Sequence, residues 1–434
     1  MTMRIRGVLM LVAGLAVMGL ASCGHYSCGT GFGSSTCTST GSPTLGGGGT
    51  TGNAATAFAF AVDTAGTIDG YTLNTTAGTF AATTSYTAPV VPTSNGGIGM
   101  VVAQEQYLYT GFGSVGELFG WSIDSTTGAL TPISGDNPLS APFLANFGLG
   151  VGESNMTTNP AGTLLFISDT TQSGIYVYTI GSGGVLALVT GSPFAVPFEP
   201  MNLSTDGMGN YLYAIDGDFT THTGSEIAAY NIGTGTSLGT LTPVVGSPFV
   251  SAGGVNYSMW MVKGEPTGKY LIGTSGNSAS YSGSDDDHLY VFSIAQSGAN
   301  AGAITPVTGS PFLTEFSPFS IAVQSNTNGN LVYSFSFNDT PTGFNGVEGY
   351  EITSTGTLSA VQNSPFTGVA EGSWGQFDQS GDFLFSHSSV LNESTSEVVT
   401  QLGAIDVGSG GALTQPVPTL TLATQGFWVV TDPQ

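Results

Sequence analysis

Seven related segments recur along this chain of 434 residues, and each is centred on an aromatic or large apolar residue. Three of the copies read GELFGWSID at 116–124, SGIYVYTIG at 173–181 and DHLYVFSIA at 287–295. The central residues are Tyr71, Trp121, Tyr178, Tyr230, Phe292, Tyr350 and Ile405. Successive central residues lie 50 to 62 residues apart. Within each copy, apolar residues alternate as they do in β-strands. A strand-only repeat of this length is typical of the blade of a β-propeller.

Each repeat contains enough alternating sequence for four strands. A turn such as NPAG or EPTG precedes the aromatic strand, and a run ending in SPF follows it. In SGIYVYTIG both alternating faces are largely apolar, which favours a sheet packed between two neighbouring sheets. Proline cannot donate to a β-ladder, so we expect the SPF proline at the end of the outer edge strand. We expect the phenylalanine after it to pack between blades.

The two ends of the repeat region complement each other. Residues 57–63 look like the second strand of a blade that lacks its inner strand, and residues 426–433 look like an inner strand with nothing after it. Their pairing would remove two exposed sheet edges. The sequence therefore predicts an all-β, seven-bladed propeller over 57–434. Its blades are four-stranded and antiparallel, and 427–431 pairs beside 58–62 to close the ring.

The first 56 residues have a different composition. Arg4 and Arg6 precede an apolar run at 8–20 that is too short to span a bilayer comfortably. The following Leu-Ala-Ser-Cys resembles a bacterial lipobox. It predicts a lipoprotein signal peptide at 1–22, lipidation of Cys23 and a Gly/Ser/Thr-rich tether within 23–56. The alternative is an ordinary secretory signal with a coincidental cysteine. Cys28 and Cys37 either pair in an oxidising compartment or stay free.

These features predict an exported protein that is anchored to a membrane through its lipid, in the periplasm or at the cell surface. The formal net charge is −24, and no arginine follows residue 6. Nucleic acid is therefore a poor partner, because it requires basic patches. We expect a monomer that binds a carbohydrate or a protein.

Three carboxylates follow SPF or SPF-like runs at similar offsets and lead into inner strands: Glu199, Glu315 and Glu371. They are candidates for the mouth of the central channel. There they could bind a ligand, hold Ca²⁺ or act as acid and base, or they are simply solvated loop residues. We expect no cofactor other than this Ca²⁺. Aromatic residues near the same face, above all Trp374 and Tyr257, and also Trp260 and Phe344, would favour carbohydrate binding.

Long loops between second and third strands carry histidines and an acidic run. His222, His288 and His387 are the candidates for a catalytic role. Asp285, Asp286 and Asp287 are the candidates for a metal site, although their spacing is not that of an EF-hand and an acidic turn is the simpler interpretation.

The turn P-x-G-x-x-L-Y, the strand I-x-x-Y-x-I and the run L-T-P-V-x-G-S-P-F resemble the lactonase-like seven-bladed propellers. That group includes the 6-phosphogluconolactonases and borders the YVTN-type surface repeats. The resemblance implies a cluster of His, Glu and Arg on one face, yet the Arg is missing here, and Lys263 and Lys269 flank a turn on the opposite face. We therefore interpret the protein as a binding or scaffolding module of the cell envelope. The alternative is a lactonase-type hydrolase that lacks the family's catalytic Arg, and a structural component of the envelope is a third option.

Overall fold

The computed structural model describes part of the chain in detail. The described residues are 56–63, 67–74, 79–87, 98–112, 117–135, 155–216, 226–250, 259–275, 287–326, 329–336, 346–367, 369, 374–378, 381–392, 397–415, 419–422 and 426–431. The predicted signal peptide, Cys23 and the tether lie outside them. Within this part of the chain, no helix is long and apolar enough to cross a membrane.

The described strands form seven antiparallel sheets, which we number as blades 1 to 7. Blade 1 contains β1 (Thr56–Asp63), β2 (Thr67–Asn74), β3 (Thr79–Thr87) and β32 (Gly426–Thr431). Blade 2 contains β4 (Ile98–Ala103), β5 (Tyr107–Phe112), β6 (Glu117–Ile123) and β7 (Leu130–Pro132). Blade 3 contains β8 (Met156–Thr158), β9 (Leu164–Asp169), β10 (Gly174–Ile180), β11 (Leu186–Leu188) and β12 (Phe194–Ala195). Blade 4 contains β13 (Pro200–Thr205), β14 (Tyr211–Asp216), β15 (Glu226–Ile232), β16 (Leu241–Pro243) and β17 (Phe249–Val250).

The remaining three blades follow the same order. Blade 5 contains β18 (Met259–Gly264), β19 (Tyr270–Ser275), β20 (His288–Ile294), β21 (Ile304–Pro306) and β22 (Phe312–Leu313). Blade 6 contains β23 (Pro318–Asn326), β24 (Gly329–Ser336), β25 (Val347–Ile352) and β26 (Leu358–Ala360). Blade 7 contains β27 (Trp374–Phe377), β28 (Phe383–Asn392), β29 (Glu397–Val407), β30 (Leu413–Thr414) and β31 (Leu420–Thr421). The inner strands β32, β4, β8, β13, β18, β23 and β27 contact one another in succession around the ring. The predicted seven-bladed propeller is confirmed.

The ring closes through the two ends of the repeat region. In blade 1 the strands lie in the order β3, β2, β1 and β32, so the last strand of the chain is the innermost. Phe58 pairs with Thr431 and Val62 pairs with Phe427, in an antiparallel register. The predicted pairing of 427–431 beside 58–62 is therefore confirmed.

The turns between first and second strands share one local design. In blade 4 the carboxylate of Asp206 accepts hydrogen bonds from the backbone N–H groups of Asn210 (2.7 Å) and Tyr211 (2.8 Å). Gly209 has φ of +71°, a conformation that costs glycine little and other residues more. The residues that cap the equivalent turns in blades 3, 5 and 7 are Asn159, Glu265 and Asp378. This design explains why a short polar or acidic residue begins these turns and glycine ends them.

The SPF run lies where the outer strand breaks into two segments, as in blade 3 between β11 and β12. The Ser192 hydroxyl accepts a hydrogen bond from the backbone N–H of Val177 at 3.1 Å, which satisfies a donor that the broken strand leaves unpaired. The same bond recurs from Ser247, Ser310 and Ser364. Phe194 packs against the apolar cluster between blades 3 and 4, so the SPF phenylalanine lies between blades as expected.

The hydrophobic core consists of layers between adjacent blades rather than one central core. The seven landmark residues of the repeat are all buried in these layers. Three of the layers contain a tyrosine hydroxyl that donates to a glycine carbonyl of the next blade. The pairs are Tyr109 with Gly184, Tyr213 with Gly302 and Tyr333 with Gly411. Each glycine has positive φ, and a Cβ on Gly302 would lie 2.5 Å from the Tyr211 ring. The backbone at these glycines thus packs so closely against the tyrosines of the adjacent blade that a residue with a side chain would not fit.

We expect the substitution Tyr213→Phe to lower the free energy of unfolding by about 1 kcal/mol, because it leaves the buried Gly302 carbonyl without its donor. Tyr211→Phe is the matched control, since it removes a hydroxyl from the same strand for which the structure shows no hydrogen bond. Urea unfolding of the two variants provides the measurement. Equal stability of Tyr213→Phe and the unsubstituted protein would show that the inter-blade bond contributes nothing.

Candidate functional site

One end of the disc, which we call the upper end, is where the inner strands begin. The loops that enter inner strands lie there beside the starts of the third strands. The backbone N–H of Thr314, in the loop entering blade 6, donates to the carbonyl of Asp287 at the start of the third strand of blade 5 (2.8 Å). The short turns capped by Asp206 and Glu265 lie at the opposite, lower end. We call the centre of the upper end, where the inner strands begin, the mouth of the channel.

Three aromatic side chains form a continuous group at this mouth. Trp260, Phe319 and Trp374 lie at the upper ends of the inner strands β18, β23 and β27. The ring centroids of Trp260 and Phe319 are 5.3 Å apart, and those of Phe319 and Trp374 are 5.0 Å apart at an interplanar angle of 77°. All three side chains are partly exposed. We call this group the mouth cluster.

Irregular strand pairing places two of these side chains. In β18 the register skips Trp260 between Met259 and Met261, and in β23 it skips Phe319 between Pro318 and Ser320. Such a β-bulge leaves one residue unpaired and changes the direction of its side chain. Blade 4 has the same irregularity at the partly exposed Met201. The Phe319 carbonyl also accepts a hydrogen bond from the Thr274 hydroxyl of blade 5 at 3.3 Å, so the bulge is fixed to its neighbour.

A buried carboxylate holds the loop that leads to Phe319. Glu348 is only 3% exposed, and it accepts hydrogen bonds from the N–H groups of Glu315 (2.8 Å) and Phe316 (3.3 Å) and from the hydroxyl of Tyr350 (2.8 Å). Burial raises the pKa of Glu348, the three hydrogen bonds oppose part of that rise, and the nearby Glu315 carboxylate adds to it. Blades 2 to 5 place apolar or aromatic residues at the same position of the third strand: Phe119, Tyr176, Ala228 and Tyr290. Blade 7 has Gly403 there, and blade 1 has a second carboxylate, Asp69.

Of the histidine candidates, His387 lies beside the mouth cluster. It pairs with Trp374 across β28 and β27, so the two side chains share one face of the sheet. Burial lowers the pKa of His387 to about 3. The imidazole is therefore neutral near pH 7 and is a weak base, which argues against its acting as a general base. His288 begins the third strand of blade 5, and its carbonyl accepts a hydrogen bond from Ser275.

The other predicted residues divide between the upper end and the part of the chain that is not described. Glu199 and Glu315 are exposed at the upper end, two blades apart, while Lys269 is exposed in a turn at the lower end. The candidates outside the described residues are Glu371, Tyr257, His222, Asp285 and Asp286. Asp287 is described, and its carbonyl accepts the hydrogen bond from Thr314. Among the described residues, no group of three or more His, Cys, Asp or Glu side chains is arranged to hold a metal.

Sequence reasoning missed two residues of this region. Phe319 belongs to a second Ser-Pro-Phe, at 317–319, which resembles the outer-strand motif but lies at the start of an inner strand. Glu348 could have been found by aligning the seven repeats, because a charged residue replaces an apolar one in the middle of the aromatic strand.

The chain matches no protein-family model and no curated protein. Among solved structures, a candidate 6-phosphogluconolactonase from Bacteroides fragilis aligns with a TM-score of 0.59 at 15% identity, covering 88% of this chain and 100% of that one. The periplasmic gluconolactonase of Pseudomonas aeruginosa aligns with a TM-score of 0.57 at 13% identity, covering 87% and 100%. The fold is that of the lactonase-like propellers. At these identities the likeness establishes the architecture, and the chemistry must be argued from the residues of this chain.

Burial also raises the pKa of Asp169, Asp206 and Asp406, as it does that of Glu348. Between the unfolded and the raised folded pKa, the folded state binds more protons, so stability is present at low pH and is lost as pH rises through the folded pKa. These carboxyl groups therefore add stability as pH falls through their raised folded pKa values, whereas His387, whose pKa burial lowers, removes stability as pH falls below about 6.5, the ordinary histidine pKa. We therefore expect the effect of Glu348 in the difference in free energy of unfolding between the unsubstituted protein and Glu348→Gln, which should shift in favour of the unsubstituted protein as pH falls. Urea unfolding at a series of pH values provides the measurement.

Glu348→Gln cannot titrate at this position, so the unsubstituted protein should gain stability relative to this variant on acidification, while it should show no such gain relative to Glu351→Gln, on the exposed face of the same strand. A difference between the unsubstituted protein and Glu348→Gln that stays constant or moves the other way as pH falls would contradict the expectation.

Proposed function

We propose that this protein is an exported, envelope-displayed propeller that binds an oligosaccharide at the upper mouth of its channel. The observation that carries the proposal is the mouth cluster, in which three partly exposed aromatic rings from three consecutive blades form one continuous group. Partly exposed Trp and Phe side chains that lie together at the starts of inner strands are unusual, since aromatic residues normally bury most of their surface.

The chemistry of the cluster suits a sugar. One face of a pyranose ring carries axial C–H groups and packs on an aromatic ring, while its hydroxyls bond to polar groups around it. Aromatic anchors supply large contact areas at little cost in conformational entropy. Charged residues make up only 7% of the chain, and Ser, Thr, Asn and Gly are abundant in it. Such a composition provides uncharged hydrogen-bonding partners for hydroxyl groups.

Display at the envelope is supported by the sequence of the leader and by one structural neighbour. The lipobox-like segment before Cys23 would attach the protein to a membrane, and the Gly/Ser/Thr-rich segment that follows would hold the disc away from it. The neighbour from Pseudomonas aeruginosa is itself named as a periplasmic protein.

A lactonase-type hydrolase is the second candidate, and it is favoured by the shared fold with proteins named as gluconolactonases. Two observations on this chain weigh against it. No arginine follows residue 6, so a phosphorylated lactone would lack its usual bidentate partner. The low pKa of His387 makes the histidine nearest the mouth cluster a poor proton acceptor.

We expect the unsubstituted protein to bind one or more of the cello-, xylo- and chito-oligosaccharides, and Trp374→Ala to weaken that binding by roughly thirtyfold, the loss typical of a central aromatic anchor. Isothermal titration calorimetry provides the affinity. Binding should also change tryptophan fluorescence, because Trp260 and Trp374 are partly exposed while Trp121 is fully buried.

The matched control is Met208→Ala, which removes a large apolar side chain that is 62% exposed in the turn capped by Asp206, at the lower end of the disc. Its binding should equal that of the unsubstituted protein. The proposal fails if no oligosaccharide binds, or if both variants bind as the unsubstituted protein does. Turnover of gluconolactone by the purified protein, lost in His387→Ala, would establish the hydrolase instead.

A further inference from the structure

The two ends of the disc differ in charge. Lys263 and Lys269 are the only lysines in the chain. Lys263 is the fifth residue of the inner strand β18 and Lys269 lies in the next turn, which places both in the lower half of blade 5. At the upper end, Glu199 and Glu315 are exposed. The described part of the mouth therefore combines aromatic rings with carboxylates and has no cationic side chain of Lys or Arg.

Among the described residues, Glu315 is the exposed carboxylate on the loop that leads to Phe319 of the mouth cluster. It lies four residues before Phe319 in a loop that is fixed at several points. Its own N–H and that of Phe316 donate to the buried Glu348, and the Thr314 hydroxyl donates to the Phe316 carbonyl at 2.7 Å. The loop is thus held by side chains of blade 6, and the exposed Glu315 side chain projects from an ordered backbone.

Glu315 is also near enough to Glu348 for its charge to act on the buried carboxylate. The charge of Glu315 contributes to the raised pKa of Glu348. Two neighbouring carboxylates without a cation repel each other, and a positive group that approaches from solvent would relieve this repulsion. Aromatic rings also favour a positive group, because an ammonium ion over the face of a Trp or Phe ring is attracted by the ring quadrupole.

We propose that the mouth cluster selects oligosaccharides that carry free amino groups, with the Glu315 carboxylate as the partner of a protonated amine. This inference rests on the proposed function and specifies its ligand class. Oligosaccharides of uronic acids are disfavoured, because their carboxylates would meet the same negative field with no cationic partner. Neutral oligosaccharides bind through the rings alone, so their affinity is lower than that of amino oligosaccharides and higher than that of uronic-acid oligosaccharides.

The test compares three soluble oligosaccharides of equal length by calorimetry at mildly acidic pH and low salt. They are a glucosamine oligomer, its fully N-acetylated counterpart and an oligogalacturonate. We expect affinity to fall in that order. Glu315→Gln should weaken binding of the glucosamine oligomer about threefold to fivefold, as expected for a partly exposed ion pair, and leave binding of the acetylated oligomer unchanged. Added salt should reduce the difference between the first two ligands.

Glu351→Gln is the matched control. It makes the same chemical change on blade 6, but Glu351 lies next to Ile352, where the third strand runs into the turn at the lower end. It should alter no affinity. Equal affinity for the amino and acetylated oligomers, or a preference for the uronate, would overturn the charge selection while leaving sugar binding intact. Failure of all three ligands and of the neutral cello- and xylo-oligosaccharides to bind would overturn both proposals.

Discussion

The structure depends on the packing of sheets that are apolar on both faces. A strand such as β10 has buried residues on alternate positions of each side, so a blade in isolation would expose two hydrophobic surfaces. Each blade therefore needs a neighbour on both sides, and only a closed ring provides this for all seven. The pairing of β32 with β1 satisfies that requirement at the one place where the chain itself does not continue. Closure is thus a consequence of the sequence pattern in every repeat.

Buried polar groups are arranged to fit this packing. The Tyr213 hydroxyl donates to the Gly302 carbonyl across an apolar layer. The Ser192 hydroxyl accepts from the Val177 N–H, at the point where the outer strand is interrupted and no longer pairs with the third strand. At the lower end, the turns capped by Asp206 and Glu265 satisfy several backbone N–H groups each. These bonds recur from blade to blade because the same backbone groups lack a partner within the sheet in each blade. The lower end is consequently regular and leaves little room for variation.

The sequence was sufficient for the blade number, the closure and the burial of landmark residues such as Trp121, because each depends on a pattern that repeats. It was insufficient for the mouth cluster, which depends on three blades meeting and on bulges at Trp260 and Phe319. The bulge recurs at the second residue of the inner strand in blades 4, 5 and 6, but the alternation of apolar residues does not indicate it. Trp374 was recognised from its type and its place before an inner strand, while Phe319 was concealed within a copy of the outer-strand motif. Glu348 occupies a position that is apolar or aromatic in blades 2 to 5, which only a residue-by-residue comparison of the blades detects.

The positions that depart from the repeat therefore carry more information about function than those that conform to it. In blade 6 two features occur together: a buried carboxylate lies where blades 2 to 5 have an apolar or aromatic residue in the third strand, and the inner strand bulges at an aromatic residue, as it also does in blade 5. Burying Glu348 is unfavourable for the fold, since desolvation raises its pKa. Its carboxylate instead fixes the loop that leads to Phe319, at the centre of the mouth cluster. A local cost in stability where three partly exposed aromatic rings meet is the arrangement expected of a binding site rather than of a structural repeat.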